Sequence, residues 1–188
     1  MELPAWVSSK EDILRWRDSY DENEDSFTGG LEETLRGKFQ ERKHATYDDI
    51  QSVFEWKFAE MPGRLKRSLN LLSTVNPDLI KNVSARAFAI TDDSARLRQL
   101  RHIKGVGVAV ASVILAFYDP DTYGIIDIHS WRELFGGTRQ VFDASDFLRF
   151  TEELRRLAAI HGLPAREVEK ALFRKNRVQP DSSKNLKL

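Results

Sequence analysis

The chain has 188 residues, 41% of them apolar and 31% charged, with 29 basic and 29 acidic side chains and no cysteine. That is enough apolar material for one domain, or for two small lobes sharing a cleft. The missing cysteine excludes disulfides and thiolate zinc and agrees with a reducing, cytoplasmic setting, and residues 1–20 are too charged for the apolar segment of a secretory signal.

The sequence reads as a succession of helices. Ser8 or Ser9 caps a first helix over 10–20. An acidic loop over 21–30 ends in Gly29-Gly30, and a polar helix follows over 31–42. Thr46 caps a helix over 47–60, where Ile50, Val53, Phe54 and Phe58 form one apolar stripe, and Pro62-Gly63 breaks it. Three more helices are expected over 64–74, 77–90 and 92–102. Asn76 caps the second, with Pro77 at its first position, and Thr91 caps the third. Residues 108–118 restart a helix in which Ser112 stands out as polar, the mark of a buried helix. It is far shorter than the roughly 20 residues needed to cross a bilayer, so no membrane partner is expected. A short helix over 128–134 stops at Gly136-Gly137. The helix over 145–161 carries Phe147, Phe150, Leu154, Leu157 and Ala158 on one face and ends at Gly162. A last helix over 164–175 packs Val168, Ala171 and Leu172, and the polar tail 178–188 is expected to fray. Nothing in the pattern needs a strand, so the expected fold class is all-α.

The zero formal net charge argues at first against a nucleic-acid partner, but the charge is unevenly spread. Over residues 1–33, ten acids face three bases. Over residues 64–104, nine bases (Arg64, Lys66, Arg67, Lys81, Arg86, Arg96, Arg98, Arg101 and Lys104) face three acids. The plain reading is a set of solvated helix faces; the functional one is a field that steers DNA.

The basic half leads into Lys104-Gly105-Val106-Gly107, which cannot continue a helix. Its two glycines permit positive φ and bare backbone. The amides of Gly107, Val108 and Ala109 lack partners at the start of the next helix and suit a backbone phosphate. Such contacts position DNA without reading its sequence. Asp127 follows in Gly124-Ile125-Ile126-Asp127-Ile128-His129. A lone acid after an apolar arm can cap the helix over 128–134, or it can be held near a cleft with a raised pKa or a paired charge.

Taken together, Leu100, Ile103, Gly105-Val106-Gly107, Ala111, the apolar helix to Phe117 and Asp127-Ile128-His129 resemble the helix-hairpin-helix DNA glycosylase superfamily, in its endonuclease III-like branch. The resemblance is strongest over 100–136 and weaker over 47–177. It implies two helical lobes around a cleft, a single glycosylase domain over 1–177, a hairpin motif at 94–118 and an aspartate arm at 119–136. It places the family's catalytic aspartate at Asp127. Bifunctional members carry a lysine where this chain has Ala109, which argues against strand cleavage through a Schiff base at that position. The branch's iron–sulfur cluster needs four cysteines and is excluded. A monovalent cation, K+ or Na+, on the backbone carbonyls of Arg101, Ile103 and Val106 is implied by the resemblance alone; no other cofactor is required.

In the resembled family the early helix faces the lesion cleft. Here it holds Glu55, Trp56 and Lys57. Trp56 could stack on an extruded base, Glu55 protonate a leaving base, and Lys57 bind phosphate or act as a nucleophile; equally, Trp56 is core and the two charges are solvated. The family's glutamine motif on this helix is absent. His129 could touch a DNA phosphate or hydrogen-bond a helix end. Trp131 reads as core, and Tyr118 and Tyr123 could line the cleft or pack a hinge. His44, His102 and His161 lack metal-ligand spacing, and Ser112 has no histidine partner for nucleophilic work.

These readings lead to an expected function: a monofunctional DNA glycosylase that hydrolyses the N-glycosidic bond of a damaged base in double-stranded DNA. It would act as a cytoplasmic or nucleoid-associated monomer in base-excision repair. A DNA-binding helix-hairpin-helix protein without chemistry is the alternative.

Overall fold

A computed structural model describes residues 4–24 and 26–179. Among the described residues every regular element is helical, so the fold is all-α. The chain divides into two compact units, one of residues 1–24 and 119–188 and the other of residues 25–118. In chain order, α1 (Lys10–Asn23) belongs to the first unit. The second unit holds α2 (Ser26–Arg42), α3 (Tyr47–Lys57), α4 (Pro62–Leu72), α5 (Pro77–Ala89), α6 (Asp93–Leu100) and α7 (Val108–Tyr118). The chain then returns to the first unit with α8 (Ile128–Phe135), α9 (Ala144–His161) and α10 (Ala165–Val178).

In the second unit α7 is the core. Every residue from Val110 to Phe117 is buried, and α2, α3 and α6 pack around it. The α3 stripe of Ile50, Val53 and Phe54 is buried as its spacing requires, with Phe58 just beyond the helix. In the first unit α10 packs against α1, α8 and α9. Its buried Val168, Ala171 and Leu172 belong to the same core as Phe147, Phe150 and Leu154 of α9. A buried ion pair, Arg166 with Glu169, runs along α10, and Glu169 Oε2 also accepts the Ile125 amide at 3.3 Å.

Several expected boundaries move, each for a local reason. The acidic loop over 21–30 does not form: α1 runs on to Asn23 and α2 starts at Ser26, with Gly30 inside it. Glycine costs a helix interior roughly 1 kcal/mol against alanine. Fully buried Leu35 and Phe39 hold α2 regardless, with Phe39 and Phe88 rings 5.7 Å apart. The helix expected to reach residue 60 ends at Lys57, and Pro62-Gly63 opens α4 instead of breaking α3, since proline at a first turn lacks only an amide that had no partner. Asp92, not Thr91, caps α6 by accepting from the Ala95 amide at 2.7 Å, and that helix stops at Leu100 rather than 102. Of the polar tail, Val178 closes α10 and the residues from 180 onward lie outside those described.

Candidate functional site

The hairpin lies in the second unit. Arg101 ends α6 with its amide on the Leu97 carbonyl, Ile103 N donates to Leu100 O, and Val106 N donates to Ile103 O at 3.0 Å. Gly105 sits at φ 92°, where a Cβ would lie 3.0 Å from Phe54 Cζ and 3.3 Å from the Ser68 carbonyl. Both the dihedral and the packing therefore require glycine. Gly107 has an ordinary φ and nothing within 4 Å of a would-be Cβ. Its carbonyl accepts the Ala111 amide at 2.9 Å and opens α7. Val106 and Val108 are buried beneath the turn, Lys104 and Gly107 are exposed, and Ala109 is half-buried. Among the described residues, the amides of Gly107, Val108 and Ala109 have no protein acceptor. The carbonyls of Arg101 and Val106 likewise take no protein donor, whereas that of Ile103 already accepts one.

The cations leading to the hairpin are of two kinds. Arg96 is buried and donates to the carbonyls of Phe88 and Ile90, closing the C-terminal end of α5, so this member of the basic run is structural. The remaining eight are exposed. Among the described residues none of these eight forms an ion pair with an acid, although Arg98 donates to Ser94 Oγ and Lys104 to Thr74 Oγ1.

Glu55, Trp56 and Lys57 are half-buried in the last turn of α3. Consecutive helix residues point about 100° apart, so the three do not share a direction. Glu55 accepts from Gln51 Nε2 at 2.9 Å. Trp56 donates its indole hydrogen to the Thr28 carbonyl at 3.0 Å and sets its ring edge-on to Phe117 at 5.2 Å. Lys57 lies at the negative end of the helix, where a cation is favoured.

Asp127 lies in the first unit, at the end of a buried arm of Tyr123, Ile125 and Ile126. Gly124 is obligatory there: a Cβ would stand 2.5 Å from Leu154 Cδ1 and 2.7 Å from Glu169 Cβ. Asp127 caps α8. Its Oδ1 accepts from His129 N at 2.7 Å, Ser130 N at 2.9 Å and Ser130 Oγ at 3.0 Å, while Ser130 Oγ accepts the Asp127 amide at 3.3 Å. All of these bonds fall on one oxygen. Among the described residues Oδ2 has no partner, and the side chain is half-buried rather than sealed in the core.

His129 is held by a chain of bonds that the sequence did not announce. Trp6 Nε1, which can only donate, bonds Glu133 Oε1 at 2.8 Å. Glu133 Oε2 accepts from Asn176 Nδ2 at 3.1 Å, which turns Asn176 Oδ1 toward His129 Nδ1, also at 3.1 Å. Nδ1 must then carry the proton, leaving Nε2 an acceptor in the neutral ring and a donor only in the cation. Asn176 and Glu133 stand 47 and 4 residues from His129, and no local pattern links them. Trp131 is core as expected, and Tyr123 is buried and stacked on Phe147. Tyr118 stacks on Phe88 at 3.9 Å. Ser112 Oγ is buried and donates to the Ala109 carbonyl. His44, His102 and His161 each bond a backbone carbonyl. No described helix is long and apolar enough to span a membrane, and no described cluster of three His, Asp or Glu side chains could hold a metal ion.

Comparison of the chain with known protein families, with curated proteins and with solved structures gave no match.

Proposed function

We propose that the protein is a monofunctional DNA glycosylase of the helix-hairpin-helix type, removing a damaged or modified base from double-stranded DNA. The observation that carries this reading is the divided carboxylate of Asp127. One oxygen satisfies the helix cap and fixes the side chain; among the described residues the other has no protein partner. A carboxylate that served only as a cap would need no apolar arm with an obligatory glycine to deliver it.

In this reading the segment 94–118 is the helix-hairpin-helix. The bare amides of Gly107, Val108 and Ala109 bind a phosphate beside the lesion, with Lys104 adding charge and Gly105 and Val106 shaping the turn. The damaged nucleotide rotates out of the stack at a cost of a few kcal/mol. As the N-glycosidic bond lengthens, its electron pair leaves with the base and positive charge builds on the sugar. Asp127 Oδ2 stabilises that charge and takes a proton from the water that adds to C1′. The products are an abasic site and a free base. Trp56 and His129 are the proposed base and phosphate contacts, and Glu55 the proposed acid. Ala109 supplies no amine, so strand cleavage would have to come from Lys57. In this reading the carbonyls of Arg101, Ile103 and Val106 would hold a K+ or Na+ ion, which would neutralise part of a bound phosphate's charge; among the described residues, those of Arg101 and Val106 take no protein donor.

A non-catalytic DNA-binding protein is the second reading, because the cap alone gives Asp127 a structural use. Base release from duplexes carrying uracil, hypoxanthine, alkylated purines, oxidised bases or modified cytosines separates the two. The panel is scored for abasic sites with and without alkali, for wild type and Asp127→Asn. Asparagine caps a helix about as well as aspartate, so this variant keeps the fold. The expected result is cleavage only after alkali, lost in Asp127→Asn. Salt-sensitive DNA binding with no base released would favour the second reading, and cleavage without alkali would point to Lys57.

A further inference from the structure

We infer that the outer face of α4 extends the DNA-binding surface beyond the hairpin, so that backbone phosphates lie along Arg64 and Arg67 as far as Thr74 and Lys104. This rests on the DNA-binding half of the proposed function and is independent of its chemistry.

The helix is sided. Ser68 and Leu72 are buried and Leu65 and Leu69 half-buried, while Arg64, Arg67 and Leu71 form an exposed stripe at i, i+3 and i+7, and exposed Thr74 follows in the turn just beyond the helix. No acid lies anywhere on α4. The hairpin is docked on this same helix: a Cβ at Gly105 would be 3.3 Å from the Ser68 carbonyl, and Lys104 Nζ donates to Thr74 Oγ1 at 3.4 Å. With a rise of roughly 1.5 Å per residue the helical stripe from Arg64 to Leu71 is about 10 Å long. That matches about three phosphate spacings of one strand, at roughly 3.4 Å each along the duplex axis.

Pairing gives the second argument. In the first unit Arg15, Arg17, Arg139, Arg156, Arg166 and Lys170 each meet an acid within 4 Å. Among the described residues Arg64, Arg67, Arg98, Arg101 and Lys104 meet none. Like charges three residues apart repel on a helix, so the free protein gains nothing from this stripe, and a polyanion outside it would relieve the repulsion. A membrane surface fits less well, because an interfacial helix presents its apolar face outward, whereas Leu65, Leu69 and Leu72 turn inward here and Leu71 is the one exposed leucine of the helix.

The test is the salt dependence of binding of the full chain to a short unmodified duplex, followed by fluorescence anisotropy. Wild type is compared with Arg64→Gln/Arg67→Gln and with Arg15→Gln/Arg156→Gln, which removes equal charge from paired positions. Each lost phosphate contact flattens the slope of log K against log salt by about 0.9, so the α4 variant should lose close to two units of slope and at least tenfold in affinity at low salt. The control should keep the wild-type slope. Equal slopes in all three proteins, equal losses in both variants, or wild type preferring phosphatidylserine vesicles to the duplex would overturn the inference. A reduced slope with no base released from any lesion would uphold this surface while the glycosylase reading falls. Base release with an unchanged slope would sink this inference alone.

Discussion

Replacing Gly105 by alanine should destabilise the protein by about 2–3 kcal/mol. Its φ of 92° is one that an L side chain adopts only at a cost of roughly 1–2 kcal/mol. The added Cβ would press on Phe54 Cζ at 3.0 Å and on the Ser68 carbonyl at 3.3 Å; the ring can give, the backbone of α4 cannot easily, and overpacking of this kind costs about 1–3 kcal/mol. Loss of glycine's freedom in the unfolded chain offsets about 0.4–1 kcal/mol. For a chain of this size the net corresponds to a fall in Tm of roughly 5–10 °C. Gly107→Ala is the matched contrast. It meets open space at an ordinary φ, so stability should stay within about 1 kcal/mol of wild type. In the proposed phosphate site its methyl group would nonetheless add bulk beside the bare amides, and duplex affinity should fall several-fold. Thermal melting and anisotropy on both variants check this. A Gly105→Ala protein melting within about 1 °C of wild type would refute the packing argument, and a Gly107→Ala protein with full affinity would refute the phosphate site.

Three other expectations follow from the first unit. Arg166→Met leaves Glu169 buried without its ion partner and should cost about 3–5 kcal/mol in chemical denaturation, most of it recovered in Arg166→Met/Glu169→Leu; a loss below about 1 kcal/mol would contradict the buried pair. Nitrogen-15 NMR of the neutral His129 ring should show the Nδ1–H tautomer in wild type, and a mixture in Asn176→Leu. A wild-type ring protonated on Nε2 would show that Asn176 does not orient it. Asp143 caps α9, and the Ser145 hydroxyl and then the Asp146 amide hold its carboxyl below the ordinary aspartate range. A lowered folded-state value means that this contribution is present above the unfolded-state pKa and lost as pH falls through the folded one. Melting temperature against pH should therefore drop less steeply on the acid side in Asp143→Asn than in wild type.

Much of the fold was legible along the chain because its determinants are local. Ser9, Thr46 and Asn76 each accept an amide two or three residues on, as caps do. The apolar run 108–118 had to be buried, and all of it is except the half-buried Ala109 and Tyr118. Where the reading erred, distant packing outweighed a local preference: α2 continues through Gly30 because Leu35 and Phe39 are buried elsewhere in its unit. The hairpin glycines were visible as a pair, yet only the packing distinguishes Gly105, closed in by Phe54 and Ser68, from Gly107, which faces open space.

Residue order by itself determined the helical class, the apolar arm and the acid at its end. Tertiary structure decided what those residues touch. It converted Arg96 from a member of a basic run into a buried donor to the end of α5, and among the described residues it left the eight exposed cations of that run without acids. It joined Trp6, Glu133, Asn176 and His129 across the chain, and it gave one oxygen of Asp127 to a helix cap and, among the described residues, the other to no protein group. Periodicity and capping act within a few residues and are written in sequence order. Burial, pairing and tautomer depend on which distant segments meet, and folding alone sets that.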